Sequence, residues 1–365
     1  MARARGSKRG FRFGNGILAG TCIAGACALA FYQTASAALL PTVVFDDTLA
    51  TNGSTVGSAS QSYSNTATPT ATSTNYDIAS NKEAVGGTPS STLSMGGPLQ
   101  LSMVSTSSGI NEVQALFTSN PVVLTNIGDS IEITTTFNNT TGLNQKSSSA
   151  VYLGLYNSGG SAPYNNLTNG SSTANTVTGI GNTEINDNTG GVAGWVGYES
   201  DDFGSGSSSK LYTRPAESPS LGSDDNQALV GEGQSGGSSG GLAATYTSQE
   251  SGANLSTTSG SNTYTDELTI TLTASGVYTL SNAMYAGSSD TGTPIGSPNG
   301  NATVGTLAAL TGGTGFDGFS IGYRQSNSTA SEMDIESVEV TVPEPASIGL
   351  LGLASLGLLR RKRRA

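Results

Sequence analysis

Three carboxylates alternate along one short stretch of this sequence, Glu332-Met333-Asp334-Ile335-Glu336. In an extended chain successive side chains point to opposite faces, so Glu332, Asp334 and Glu336 share one face and Met333 and Ile335 the other. Carboxyl groups flanking one alternate position can stand about 5 to 5.5 Å apart, the separation at which one attacks a sugar carbon while the other protonates the leaving oxygen. The competing reading is a solvent-facing acidic edge on the last strand of the chain, with Met333 and Ile335 buried. Scarce aromatic surface favours that second reading, since Trp195 is the one tryptophan and an aromatic cleft for sugar rings is nearly missing. Val338, Val340 and Val342 fall on the opposite parity to Met333 and Ile335, so burying both sets needs a bulge near Glu336 or Ser337.

Other chemistry is limited by inventory. The chain has no histidine, and its two cysteines, Cys22 and Cys27, lie in an N-terminal apolar run. Imidazole bases, Ser-His-Asp and Cys-His nucleophiles and His- or Cys-based zinc sites are therefore excluded from the body. Carboxylates, hydroxyls and oxygen-bound cations remain, so no cofactor is expected apart from calcium as a candidate ligand. Asp46-Asp47, Asp201-Asp202 and Asp224-Asp225 sit beside turn residues, but calcium needs six to eight oxygens and the loop spacing of a dedicated site is absent. Trp195 and Tyr198 could stack together on a sugar; core packing is the competing reading, because large aromatics dominate small cores.

Charge narrows the partners. Ten of the 15 basic residues cluster before Phe13 and after Leu359, so between Arg12 and Arg360 five basic residues face 26 carboxylates, a formal charge of −21. Nucleic acid is excluded as a partner, because few cations are available to replace the counterions of a polyanion. A neutral glycan or a divalent cation fits this balance.

The elements that must position these groups are strands. Ile131, Ile133 and Phe137 alternate with Glu132, Thr134 and Thr136, and the same period of two places Val151, Leu153 and Leu155, then Leu268, Ile270 and Leu272, then Phe319, Ile321 and Tyr323, each on one face. About a dozen such runs separated by Gly, Ser, Asn and Asp clusters, without a long amphipathic helix, predict an all-β body, a jelly-roll β-sandwich. A parallel β-helix is the alternative, although no fixed repeat supports it. The stretches 51–74, 157–191 and 204–262 are rich in Gly, Ser, Thr and Asn and are expected as flexible surface loops.

The two ends read as addresses. Arg3, Arg5, Lys8, Arg9 and Arg12 precede an apolar run over Ile17–Tyr32 and then Ala35-Ser36-Ala37, the three parts of a secretory signal with cleavage after Ala37. Pro343-Glu344-Pro345 precedes an apolar segment over 346–359 and the cluster Arg360, Arg361, Lys362, Arg363, Arg364. As a helix that segment spans about 21 Å at 1.5 Å per residue, short of a roughly 30 Å hydrocarbon core without help from snorkelling arginines. By the positive-inside rule the basic cluster stays in the cytoplasm and the body lies outside.

This tail resembles the PEP-CTERM sorting signal. The resemblance implies recognition by a membrane-embedded exosortase, transient membrane anchorage through the tail, and a destination at the cell surface or in an exopolysaccharide or biofilm matrix. Phe316–Arg324 and Met333–Val340 resemble the closing strands of concanavalin-like and laminin-G-like jelly rolls. The spacing of Glu332, Asp334 and Glu336 resembles the nucleophile, helper and acid of laminarinase-like glycoside hydrolases, with Met at the second position as a departure. The expected organisation is a signal peptide at 1–37 with a signal helix, a β-sandwich body at 38–342, and a sorting tail with a hydrophobic helix at 343–365. The body is expected to be non-enzymatic and glycan-binding, with a jelly-roll glycoside hydrolase as the alternative.

Overall fold

Alternation of apolar and polar side chains produces strands that bury one face. In the clearest case, Ser130–Thr141, burial alternates residue by residue from Ser130 to Asn139. The computed structural model describes residues 41–49, 61–62, 75–82, 99–103, 108–141, 143, 150–160, 195–202, 208–214, 229, 243–251, 255–256, 258–295, 303–308, 315–326 and 331–343. Within Pro41–Pro343, which form one compact unit, these residues are organised as β-strands. The signal segment with Ala35 and Ala37, the sorting residues beyond Pro343 and both expected terminal helices lie outside the described residues.

The strands are β1 Pro41–Asp47, β2 Gln61–Ser62, β3 Asn75–Lys82, β4 Leu99–Met103, β5 Ser108–Leu116, β6 Val122–Val123, β7 Ser130–Thr141, β8 Ala150–Asn157 and β9 Val196–Asp202. They continue with β10 Ser208–Arg214, β11 Ala243–Ser251, β12 Thr263–Ala274, β13 Val277–Ala286, β14 Thr303–Ala308, β15 Gly315–Phe316, β16 Gly318–Ser326 and β17 Ser331–Pro343. Seven form one sheet in the order β1-β17-β7-β12-β13-β14, with β4 also paired to β17. Eight form a second sheet in the order β11-β10-β9-β8-β16-β5-β3-β2, and β15 pairs with β6 in a short ribbon. Described strand pairs are antiparallel throughout. The two sheets pack face to face as a jelly-roll β-sandwich, the all-β class the alternation predicts.

The core between the sheets is drawn from the predicted faces. Ile131, Ile133 and Phe137, Val151, Leu153 and Leu155, Leu268 and Ile270, and Phe319, Ile321 and Tyr323 are all buried in one cluster. Some strands fall within the stretches expected as loops. The stretch 204–262 contributes β10 and β11 to the edge of the eight-stranded sheet and inserts Leu255 into the core, because a Gly/Ser-rich segment needs few apolar residues when its backbone is held by a neighbouring strand. Likewise β2 falls within 51–74. Of 157–191 only the turn at 157–160 is described.

Candidate functional site

β17 decides the fate of the alternating carboxylates. It is last in sequence but interior in its sheet, flanked by β7 on one side and by β1 and β4 on the other, so the acidic edge expected from its position in the chain is not an edge. Met333 and Ile335 are fully buried, and so are Val338 and Val340. The change of parity is absorbed where predicted, by a register shift between Ile335 and Ser337 against β7. That bulge leaves Glu332, Asp334 and Glu336 half-buried on the outer face of the seven-stranded sheet.

There Asp334 and Glu336 serve as acceptors for neighbouring side chains. Gln100 Nε2 donates to Asp334 Oδ1 at 3.0 Å, Thr140 Oγ1 donates to Asp334 Oδ2 at 2.8 Å, and Asn138 Nδ2 donates to Glu336. Partial burial and then the Asp334 charge push the Glu332 and Glu336 carboxyls above their usual range. Replacing the three by Gln, Asn and Gln is expected to leave the urea-unfolding free energy within about 0.5 kcal/mol of the parent, as surface substitutions usually do. Relief of mutual repulsion offsets the altered hydrogen bonds. A loss of several kcal/mol in that experiment would show that the row holds the sheet together.

A different set of chemical groups meets on the far face of the eight-stranded sheet. Along β9 the residues Gly197, Glu199 and Asp201 alternate with core-facing Tyr198 and Ser200. Their partners on β10 are Arg214, Tyr212 and Lys210, and on β8 Tyr156, Gly154 and Tyr152. Through β16 the same rows reach Leu116, Gln114 and Glu112 on β5. Glu112, Gln114, Glu199 and Arg214 are buried to 1% exposure or less.

Tyr156 OH donates to Glu199 Oε2 at 3.2 Å, Tyr212 OH to Asp201 Oδ2 at 3.3 Å, Gln114 Nε2 to Glu112, and Arg214 Nη1 to the Trp195 carbonyl. Leu229, fully buried, roofs the cluster. Its backbone N–H donates to Glu112 Oε1 at 2.8 Å, and its carbonyl accepts from Tyr156 OH at 3.4 Å. Burial, then the charges of Glu199 and Glu112, hold the Tyr156 phenol far above its usual range against the opposing Arg214 charge. The phenol therefore stays a proton donor.

Small residues allow this packing. A Cβ at Gly197 would lie 2.5 Å from Tyr156 Cδ1, and one at Gly318 would lie 2.7 Å from Trp195 Cη2, so the two aromatic rings lie where side chains on the strands beneath would otherwise stand. The sequence signals of this cluster are Glu199-x-Asp201 beside Trp195, Glu112-x-Gln114, and two of the five basic residues of the body at Lys210 and Arg214. None of them pairs the strands, so of this cluster the sequence alone points only to Trp195 and Asp201.

Trp195 and Tyr198 are both fully buried, on opposite faces of the sheet. Trp195 joins Tyr152, Tyr156 and Leu229, while Tyr198 belongs to the inter-sheet core beside Tyr278. Three positions along an extended chain reverse the face, so the two rings form no common platform, and core packing is the arrangement observed. The Asp pairs do not converge either. Asp47 is buried and accepts from the Leu49 N–H at 2.9 Å, and Asp224 and Asp225 lie outside the described residues. Among the described residues no group of three or more Asp or Glu is arranged to hold a metal ion.

No curated protein matches the chain significantly in sequence. Among solved structures it is similar to the metal-free carbohydrate recognition domain of Emp46p, at 12% identity over 73% of this chain and 87% of that one, with a TM-score of 0.33. It is also similar to peanut lectin with a 9mer peptide, at 10% identity, 73% and 97% coverage and a TM-score of 0.33. A further similar structure is an endo-1,3-beta-glucanase from Streptomyces sioyaensis, at 12% identity, 84% and 97% coverage and a TM-score of 0.36. Residues 341–364 match the family model described as the PEP-CTERM protein-sorting motif, and Thr341, Val342 and Pro343 are at the same time the last residues of β17. The chain therefore carries a PEP-CTERM protein-sorting motif that begins inside the final strand of its β-sandwich.

Proposed function

We propose that this chain is an exported surface protein, delivered to a membrane-embedded exosortase by its C-terminal motif, whose body acts without catalysis and binds extracellular polysaccharide. The observation that carries the proposal is the continuity of strand and signal: β17 pairs with β1 up to Pro41 opposite Pro343, and only Glu344 and Pro345 separate it from the apolar segment. A body held this close to its sorting tail is displayed at the membrane surface until processing. Changing Pro343-Glu344-Pro345 to alanines is expected to block processing and leave the chain in the membrane fraction, read by its mobility and by fractionation. Normal release from the envelope in that variant would overturn the sorting role.

The outer face of the seven-stranded sheet supports glycan binding. It carries half-buried Thr134, Thr136, Asn138, Thr269 and Ser281 beside carboxylates, a hydroxyl and amide surface suited to a neutral polymer. The absence of catalysis is supported by the engagement of Asp334 and Glu336 with neighbours, and by Leu229 closing over Glu112. A polysaccharide array and a hydrolysis screen on the purified body, run with calcium and with chelator, test all three claims. Binding without cleavage is the expected result, and dependence on calcium would add that ion to the site. If cleavage is found, loss of activity in E332Q would restore the hydrolase reading of Glu332, Asp334 and Glu336, whereas loss in E199Q or D201N would move it to the opposite sheet.

A further inference from the structure

Four large apolar side chains are exposed among the described residues: Val43 at 41%, Val123 at 52%, Ile127 at 71% and Val304 at 47%. Register places three of them at one end of the sandwich. β17 finishes there at Pro343, Thr341 pairs with Val43 on β1 and with Glu132 near the start of β7, and Ser130 on β7 pairs with Thr271 near the end of β12. Ile127 is in the turn that leads into β7, and Val123 lies four residues before it.

That turn is built to hold Ile127 outward. Asp129 Oδ2 accepts from the Asn126 N–H at 2.7 Å and the Thr125 N–H at 2.9 Å. The Gly128 N–H donates to the Leu272 carbonyl at 2.8 Å, and the Leu272 N–H donates back to the Asp129 carbonyl at 2.9 Å. Gly128 has φ 98°, a conformation that glycine adopts freely. Ile127 therefore stands on a tied loop and has no core to enter.

Charge is sparse on the loops at this end. Residues 118–128 contain no ionisable side chain, and nor do the 157–160 turn or residues 273–277 at the junction of β12 and β13. Two carboxylates stand beside these loops and are bonded within them: Asp129 accepts from the Thr125 and Asn126 N–H groups, and buried Asp317 accepts from Ser158. On a body whose residues 38–342 carry five basic residues against 25 carboxylates, loops this poor in charge with exposed Ile and Val are suited to a surface that would repel carboxylates. From Pro343 to the first apolar residue of the tail, Ala346, three extended steps reach about 10 Å, comparable to the depth of about 5 to 10 Å at which apolar side chains enter the lipid headgroup boundary.

We propose that this end of the sandwich, through Ile127 and Val123 with Val43 at its margin, rests on the lipid surface while the tail is anchored. The contact would fix the orientation of the body and hold the Pro343-Glu344-Pro345 segment at the membrane face. This rests on the tail-anchored state proposed above, and the test reads the two separately.

The chain from Ala38 to Ala365 retains every residue of the core and contains no cysteine. Ile127→Cys and, as control, Ser289→Cys are each labelled with an environment-sensitive fluorophore. Ser289 is exposed and follows the far end of β13, which runs away from Val277. With vesicles of phosphatidylethanolamine and phosphatidylglycerol, flotation reports tail insertion, and emission with quenching by nitroxide lipid reports contact. The expected result is co-flotation of both labelled chains with a blue shift and about a twofold intensity gain at position 127 alone, as for an apolar side chain entering the interface. Co-flotation with identical spectra at 127 and 289 would overturn the lipid contact and leave the anchored tail intact. Failure to float would remove the anchored state and the contact with it. A concentration-dependent blue shift at 127 without vesicles would show that a second copy of the chain occupies this end, and would equally overturn the proposal.

Discussion

Arg214→Met is expected to lower the unfolding free energy by about 3 to 5 kcal/mol, the cost of removing one partner from a buried charged cluster. The guanidinium is fully buried and donates to the Trp195 carbonyl. It shares its sheet face with Glu199 and Asp201 on β9, and its charge is felt at Tyr156 together with those of Glu199 and Glu112. Methionine keeps much of the stem volume but removes the charge and the donors, leaving the buried carboxylates without that compensation. Arg214→Lys should recover only part of the loss, since an ammonium supplies charge without the planar fork of donors. The sole tryptophan, Trp195, lies within the affected cluster, so its emission follows the urea transition directly. A loss below about 1 kcal/mol for the methionine variant, the scale of an exposed ion pair, would show that Arg214 does not balance this face.

Stability is expected to fall as pH rises from 5 to 8. Glu132 is pushed from 4.5 up to about 7, first by burial and then by the charge of Glu267, with Asp290 and Glu339 adding to it against the hydrogen bond from Thr269. Burial raises Glu267, Glu339 and Asp46 as well, with Asp290 adding for Glu267, Asp46 for Glu339 and Asp47 for Asp46. A carboxyl raised in the folded state binds protons more tightly there than in the unfolded chain. Stability is therefore greatest near the unfolded value of 4.5, declines as pH rises through the folded value and levels above it. A tenfold difference in proton affinity between the two states corresponds to about 1.4 kcal/mol. After discounting for the solvent that still reaches Glu132, Glu132→Gln should stabilise the body at pH 8 by about 1 to 2 kcal/mol.

The same variant should flatten the slope of melting temperature against pH, and added salt should flatten it further by screening the repulsion. At the acid end the sign reverses. Burial raises the Asp129 carboxyl, but hydrogen bonds from Asn126 and Thr125 outweigh this and hold it below its usual range, so its contribution is present above 3.8 and lost as pH falls. A melting temperature that climbs steadily from pH 5 to pH 8 would refute this account.

The alternation at Ile131, Ile133 and Phe137 was legible because burial on one sheet face imposes a period of two on any strand. The bulge at Ile335–Ser337 was legible for the same reason, since two buried sets of opposite parity cannot sit on one regular strand. Asp266 shows the limit of that reasoning. It occupies an inward position in line with Leu268 and Ile270, yet it is buried between the sheets and accepts from Asn282 Nδ2 at 3.0 Å. Parity gives the inward face but not the partner on the adjacent strand, Asn282, that satisfies a buried carboxylate there.

What the sequence by itself determined were local and compositional properties: which side chains share a face, the absence of imidazole and thiol chemistry from the body, the surplus of carboxylates, and the sorting motif at 341–364, written in consecutive residues. What only the tertiary structure decided was neighbourhood. The order β11-β10-β9-β8-β16-β5-β3-β2 brings Glu112, Glu199 and Arg214 to one buried face and carries Leu229 onto Glu112 across 117 residues of chain. The order β1-β17-β7 turns the last strand of the chain into an interior one. The physical reason is that parity fixes the face of a side chain within its own strand, whereas hydrogen-bond pairing between distant segments chooses the adjacent strand. That choice depends on the packing of the whole sandwich and leaves no mark in the local pattern.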